Sequence, residues 1–149
     1  LSQKLGFATE RRTNQVSSQP SIADNIQVYL GDTMGEMLVL MGAADICFMG
    51  GSLIGDKVGG HSVLEPAALG LPVITGPSYF NFEEIVNLLT SNQAIDIIKD
   101  SRELSSLVNN KFNNSDACNN QKQQLNSTVT SNLGAIVKTL CYVRENQYG

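Results

Sequence analysis

Three stretches of the chain combine glycine, hydroxyl and carboxylate residues at spacings suited to holding a phosphorylated ligand, and each follows a short apolar run. The first is GDTMGEM, residues 31–37. Gly31 closes the apolar run, and a helix beginning near Thr33 would turn free backbone N–H groups toward a ligand. Thr33 with Glu36 three residues on also fits an ordinary capping box, so both readings stand. The second stretch, GGSLIGDKVGGHSVLEP, carries five glycines between Gly50 and Pro66. Glycine permits positive φ and close approach of backbone to a ligand, and the helix start that follows could hold a phosphate without a cationic side chain. It has neither the Gly-Lys-Ser/Thr of a P-loop nor the GxGxxG spacing. Ser62 and Glu65 fit a capping box, whereas Pro66 suits the first helical position, which would leave Glu65 as the residue before the helix. A carboxylate there can accept hydrogen bonds from a sugar diol. Cap and ligand contact both remain open for Glu65. The third stretch, TGPSYFNFEE, leads to a helix start at Asn81 with Glu84 three residues on, so Asn81 reads as a cap. His61, the only histidine, has no nearby Ser and Asp pair for a hydrolytic triad, and it suits phosphate contact or loop anchoring.

The elements that would position these loops are short. Runs of strand length recur at LGFAT near Leu5, IQVYL from Ile26, ADICFM from Ala44, LPVIT from Leu71 and AIDII from Ala94. Between them lie segments of helical spacing, such as Met34, Met37, Leu38 and Met41, or Phe82, Ile85, Val86 and Leu89. Strand alternating with helix predicts a doubly wound α/β architecture: a mostly parallel sheet covered on both faces, with right-handed crossovers. Ligands bind such sheets beyond the carboxyl ends of the strands, where the three loops fall. After Ser101 the pattern becomes helical throughout. Residues 109–126 hold ten Asn or Gln, which reads as a polar surface connection or helix face with almost nothing to bury. Beyond it Leu125, Val129, Leu133, Ile136, Leu140 and Val143 give a terminal amphipathic helix.

Composition narrows the class. A chain of 149 residues is the usual size of one domain, here 1–149, and folding should bury roughly 68–70% of its surface. With 42% hydrophobic and 16% charged residues and no long apolar run, it is neither a disordered tail nor a spanning segment, which needs ~20 apolar residues. The net charge of −4 and pI of about 4.8 leave no basic field for nucleic acid, since Arg11 and Arg12 are the only adjacent cations. Cys47, Cys118 and Cys141 form no CxxC pair, which suits a reducing compartment better than a disulfide scaffold. Only scattered carboxylates lie near the loops, so neither a metal nor another cofactor is expected. The opening LSQKLGFATERR, with no initiating Met and no signal-like region, reads as the start of a piece of a longer protein.

The motifs GDTMGEM, ADICFMGGSL, GGHSVLEPAALGLPVITGP and NFEE, in this order and spacing, closely resemble the C-terminal half of 3-deoxy-D-manno-octulosonic acid (Kdo) transferases. The likeness spans roughly Gly6 to Leu107, and NLGAIVKTL is similar to the family's closing helix. Within it LEPAALGLPVI resembles the wider nucleotide-sugar glycosyltransferase pattern, in which a Glu opening a helix holds the donor ribose. The resemblance implies a Rossmann-like, doubly wound domain, the C-terminal half of a two-domain GT-B enzyme. It implies that the whole enzyme, at the cytoplasmic face of the bacterial inner membrane, moves Kdo from CMP-Kdo to a lipid A precursor with inversion and without a metal. The implied donor contacts are Glu65 on the ribose, Gly51, Ser52, Gly59, Gly60, His61 and Ser62 on the phosphate, and Thr33, Met34, Gly35, Glu36 and Asn81 lining the cleft. No catalytic residue is implied within these residues. The acceptor surface, the membrane-associating segment and the general base belong to the family's N-terminal domain, so this part alone would be inactive. Two positions depart from the family's pattern. Ser62 stands where the family has Asn, so an amide contact is either lost or taken over by a hydroxyl, and the loop between Leu53 and Gly59 is slightly longer. The rival readings are a transferase or epimerase acting on another nucleotide sugar, and a noncatalytic nucleotide-binding module.

Overall fold

A computed structural model describes residues 1–15, 22–55, 58–132 and 134, within two compact units, Leu1–Ala43 and Ala44–Gly149. In the first unit β1 (Thr9–Arg11) and β2 (Val28–Leu30) pair in parallel, with Thr9 opposite Val28 and Arg11 opposite Leu30, and α1 (Met37–Gly42) follows. The strand expected at LGFAT begins late. Gln3–Leu5 instead forms a 3-10 turn that Gly6 leaves at a φ of 84°, because the Leu5 amide is already bonded to the Ser2 carbonyl at 3.0 Å. A donor spent locally is not available to a strand partner.

The helix expected near Thr33 also starts later, at Met37. Its capping box does not form. The Thr33 hydroxyl donates to the Glu36 carboxylate, which Arg12 grips as well through Nε at 3.1 Å and Nη2 at 3.0 Å. Glu36 then occupies the N-cap position without capping through its side chain. Met34 falls in the turn before the helix and is 98% exposed, rather than lying on an apolar helical face.

The second unit is a sheet of three parallel strands in the order β3 (Cys47–Phe48), β4 (Val73–Thr75), β5 (Ile95–Ile97). Cys47 pairs with Val73, and Val73 with Ile95, so β4 is hydrogen-bonded on both sides. All three β4 residues, Val73, Ile74 and Thr75, are buried, as in a strand covered on both faces. α2 (Leu64–Ala68) connects β3 to β4, and α3 (Glu83–Ser91) connects β4 to β5. Val63, Leu64, Val73, Val86, Leu89 and Leu125, none more than 1% exposed, form the centre of the core.

Downstream of β5 the described residues form two helices, as their spacing predicts: α4 (Ser101–Asn113) and α5 (Ser115–Ser131). Asp100 caps α4 by accepting from the amides of Arg102 and Glu103, and Asn114 caps α5 through the Ala117 amide. Leu125 and Val129 bring α5 onto the core. The remaining stripe residues, Leu133, Ile136, Leu140 and Val143, lie outside the described residues. The Asn/Gln-rich segment buries more than its composition predicts. Lys111 and Gln121 are both buried, and Lys111 Nζ pairs with Asp96 at 2.8 Å and with Gln121 Oε1 at 2.5 Å. Gln121 Nε2 donates to the same Asp96 at 2.7 Å, so two helices are pinned to β5 through one carboxylate. A lysine stem is apolar enough to be buried provided its ammonium finds such partners.

Candidate functional site

In the second unit the chain leaves β3 through Met49 and Gly50, and Gly51 turns it at a φ of 78°. Ser52 is completely buried. Its hydroxyl donates to the Met49 carbonyl at 2.6 Å and accepts the Gly76 amide at 2.8 Å, while its carbonyl accepts the Ser78 amide at 3.0 Å. The loop after β3 is thereby fastened to the loop after β4. Gly76 sits at the closest approach, where a Cβ would meet the Ser52 carbonyl carbon at 2.7 Å.

The chain returns to this point at Gly59, which is buried, and Gly60, at a φ of 65°. A Cβ on Gly59 would run into the Asn81 carboxamide, and one on Gly60 would meet the Ser78 carbonyl at 2.7 Å. A Cβ on Gly51 would lie 3.7 Å from the Gly60 backbone and 4.0 Å from the His61 ring. Gly51, Ser52, Gly59, Gly60, His61 and Asn81, named from the sequence as candidate contacts, are thus brought together. Glycines here serve close backbone approach as much as conformational freedom.

Beyond the turn, the Ser62 hydroxyl accepts the Leu64 amide at 3.2 Å, and α2 begins at Leu64. This overturns both local expectations for the segment. Pro66 is the third helical residue, acceptable there because the first amides of a helix have no intrahelical partner. Glu65 lies in the first turn without capping it; among the described residues its carboxylate is exposed and makes no hydrogen bond. It is available to a ligand. Asn81 does not cap either: it lies in a 3-10 turn, Phe80–Phe82, and α3 starts at Glu83 with no side-chain cap. Packing of its amide against Gly59 takes the place of the capping bond.

Sequence reasoning missed Ser78, which is 6% exposed and touches the loop at several points. A Ser after Gly-Pro carries no spacing signal that would have singled it out.

In the first unit the turn Thr33–Gly35 is fastened at each end. Asp32 accepts the Thr13 amide at 3.0 Å and its hydroxyl at 2.8 Å and pairs with Arg11. The Thr13 amide, helped by the hydroxyl and Arg11, holds the Asp32 carboxyl down to about 2. Glu36 is held below the usual carboxylate range by the Thr33 hydroxyl and by Arg12. Of the expected residues, Met34 and Gly35 are exposed, and the Glu36 carboxylate is engaged within its own unit.

Among the described residues no three His, Cys, Asp or Glu come together as metal ligands, and no helix is long and apolar enough to cross a membrane. A cavity of about 550 Å3 lined by Asp96, Lys111 and Gln121 contains none of the expected contacts.

Comparison with known proteins agrees with the motif reading. The chain is 47% identical over 85 residues to 3-deoxy-D-manno-octulosonic acid transferase of Haemophilus influenzae, a match covering 57% of this chain and 18% of that protein. The enzyme of Bordetella pertussis is 43% identical over 82 residues, covering 55% of this chain and 18% of its own. That of Rickettsia typhi is 32% identical over 111 residues, covering 74% and 22%. The chain thus spans about a fifth of the length of these relatives. No family model matches it. Among solved structures, the C-terminal CMP-Kdo binding domain of WaaA from Acinetobacter baumannii superposes with a TM-score of 0.78 at 33% identity, covering 86% of this chain and 64% of that one. In sequence and in fold the chain is therefore a relative of the 3-deoxy-D-manno-octulosonic acid transferases, with the Rossmann-like α/β fold of the C-terminal domain solved for one of them.

Proposed function

We propose that this chain is the donor-binding part of a Kdo transferase and that it grips CMP-Kdo at the loop between β3 and α2. The observation that carries the reading is Glu65. Its carboxylate is exposed beside the glycine turn and makes no hydrogen bond among the described residues, where a helix cap would make one. Glu65 holds the ribose diol, and the backbone of Gly51, Ser52, Gly59, Gly60, His61 and Ser62 receives the phosphate, with Asn81 packed against the turn. In the first unit Thr33, Met34, Gly35 and Glu36 are candidate donor contacts.

In the whole protein the bond from the Kdo anomeric carbon to the phosphate oxygen breaks as an acceptor hydroxyl attacks from the opposite face, and CMP leaves with the bonding electrons. Backbone N–H groups aimed at the phosphate stabilise the charge that collects there. The acceptor proton passes to a base outside these residues. The acceptor is a lipid A precursor, met at the cytoplasmic face of the inner membrane through the N-terminal domain of a GT-B enzyme.

Calorimetric titration of the 149-residue chain tests the donor half of this proposal. CMP is expected to bind with the same affinity in EDTA as without it, and UMP to bind at least about tenfold more weakly, a difference of about 1.4 kcal/mol. Equal affinity for UMP would favour another nucleotide sugar, and loss of CMP binding on chelation would overturn the metal-free site. The chain alone is expected to transfer no Kdo to a lipid acceptor.

A further inference from the structure

Ser78 is placed to do more than fill space behind the glycine turn. It follows β4 by way of Gly76 and Pro77, and its backbone amide donates to the Ser52 carbonyl at 3.0 Å. Its hydroxyl oxygen lies 2.5 Å from the Gly55 carbonyl and 2.6 Å from the Val58 carbonyl. Its own carbonyl lies where only a glycine at position 60 leaves room, since a Cβ there would come within 2.7 Å. One buried residue therefore touches the loop where it leaves β3, at two points along its course and where it turns toward α2. A hydroxyl carries a single proton, so it bonds one of the two carbonyls at a time. The arrangement draws both oxygens toward one atom.

The geometry points to Ser78 as the positioning residue of the phosphate contacts: its hydroxyl sets the path of the loop and so the aim of the backbone from Gly59 to Ser62. It does not touch the nucleotide itself. Ser78 follows the buried strand β4 by three residues and its amide is bonded to the buried Ser52, so the loop is tied to a point close to the centre of the sheet. This inference rests on the proposal that Gly59–Ser62 receive the phosphate, and it predicts a loss that a merely destabilising change would not produce. The grip on phosphate weakens while the grip on nucleoside is kept.

The experiment is a pair of titrations, CMP and cytidine, on wild type and Ser78→Ala, with circular dichroism to establish folding. Ser78→Ala is expected to lower CMP affinity about tenfold and to change cytidine affinity by less than about twofold, the size expected for one buried hydrogen bond. Ser78→Thr, which keeps the hydroxyl, is expected to restore the ratio of the two affinities. Wild type that binds cytidine as tightly as CMP would refute the phosphate reading itself. Wild type that favours CMP, with Ser78→Ala favouring it equally, would refute the role of Ser78 and leave that reading standing. A parallel loss of both ligands would also overturn the proposal. If Ser78→Ala does not fold, Ser78→Cys, close in volume but a weak donor, takes its place. Failure of both to fold would make the hydroxyl a general requirement of the core and overturn the positioning role.

Discussion

Replacement of Glu65 by Ala is expected to weaken CMP binding by about 1.5–3 kcal/mol, on the order of ten- to a hundredfold, through loss of a charged hydrogen bond to the ribose. Binding of 2′,3′-dideoxy-CMP, which lacks the diol, is expected to be insensitive to the same change. The alternative for this residue was a helix cap, whose loss costs about 1 kcal/mol of stability and leaves nucleotide affinity intact. In the structure Ser62 serves the Leu64 amide and Glu65 bonds nothing among the described residues, so the melting temperature of Glu65→Ala should match wild type. Calorimetry with the two nucleotides separates the outcomes, each serving as control for the other. Equal CMP affinity of mutant and wild type would remove Glu65 from the site.

Gly76→Ala is expected to destabilise the second unit at the upper end of the about 1–3 kcal/mol that overpacking usually costs. The added Cβ would run into the Ser52 carbonyl, whose carbon lies 2.7 Å away. The obstacle is backbone and cannot rotate aside. That same carbonyl accepts the Ser78 amide, and the Gly76 amide is bonded to the Ser52 hydroxyl, so any movement that relieves the clash stretches two hydrogen bonds at buried positions. Urea denaturation followed by circular dichroism measures the effect as a lowered midpoint with an unchanged slope. A midpoint equal to wild type would mean that the two loops separate without cost.

Much of the fold was legible because the strands of the second unit are written in short apolar runs such as LPVIT and AIDII, although only β4 is buried throughout and β5 leaves Ile97 exposed. The glycine turn was legible for a similar reason: Gly51, Gly59 and Gly60 stand where backbone meets backbone or a neighbouring side chain. Local spacing failed at the helix starts. It offered capping boxes at Thr33–Glu36 and Ser62–Glu65 beside a ligand role and read Asn81 as a cap, and in each case the side chain found another partner. Arg12, 24 residues earlier in the chain, takes Glu36; Leu64 takes the Ser62 hydroxyl; the Asn81 amide packs on Gly59. At Ser62 the competition is decided locally, by an amide two residues on, whereas for Glu36 and Asn81 it is decided by neighbours distant in sequence. The same holds for Lys111 and Gln121, which a polar composition places on the surface and Asp96 draws inward. Ser78 was invisible because its importance lies wholly in carbonyls it reaches across the loop.

The fastening of Ser52 to Gly76 and Ser78 begins where β4 ends, and β4 is bonded to a strand on either side with all three residues buried. The amides of Gly76 and Ser78 are bonded to the completely buried Ser52, so their exchange with solvent is expected to require at least local opening of this join. A ligand gripping this loop would bind the folded unit and have nothing to grip in the unfolded one. Occupancy and folding are then linked, and ligand at a hundred times its dissociation constant adds about 2.7 kcal/mol to the unfolding free energy.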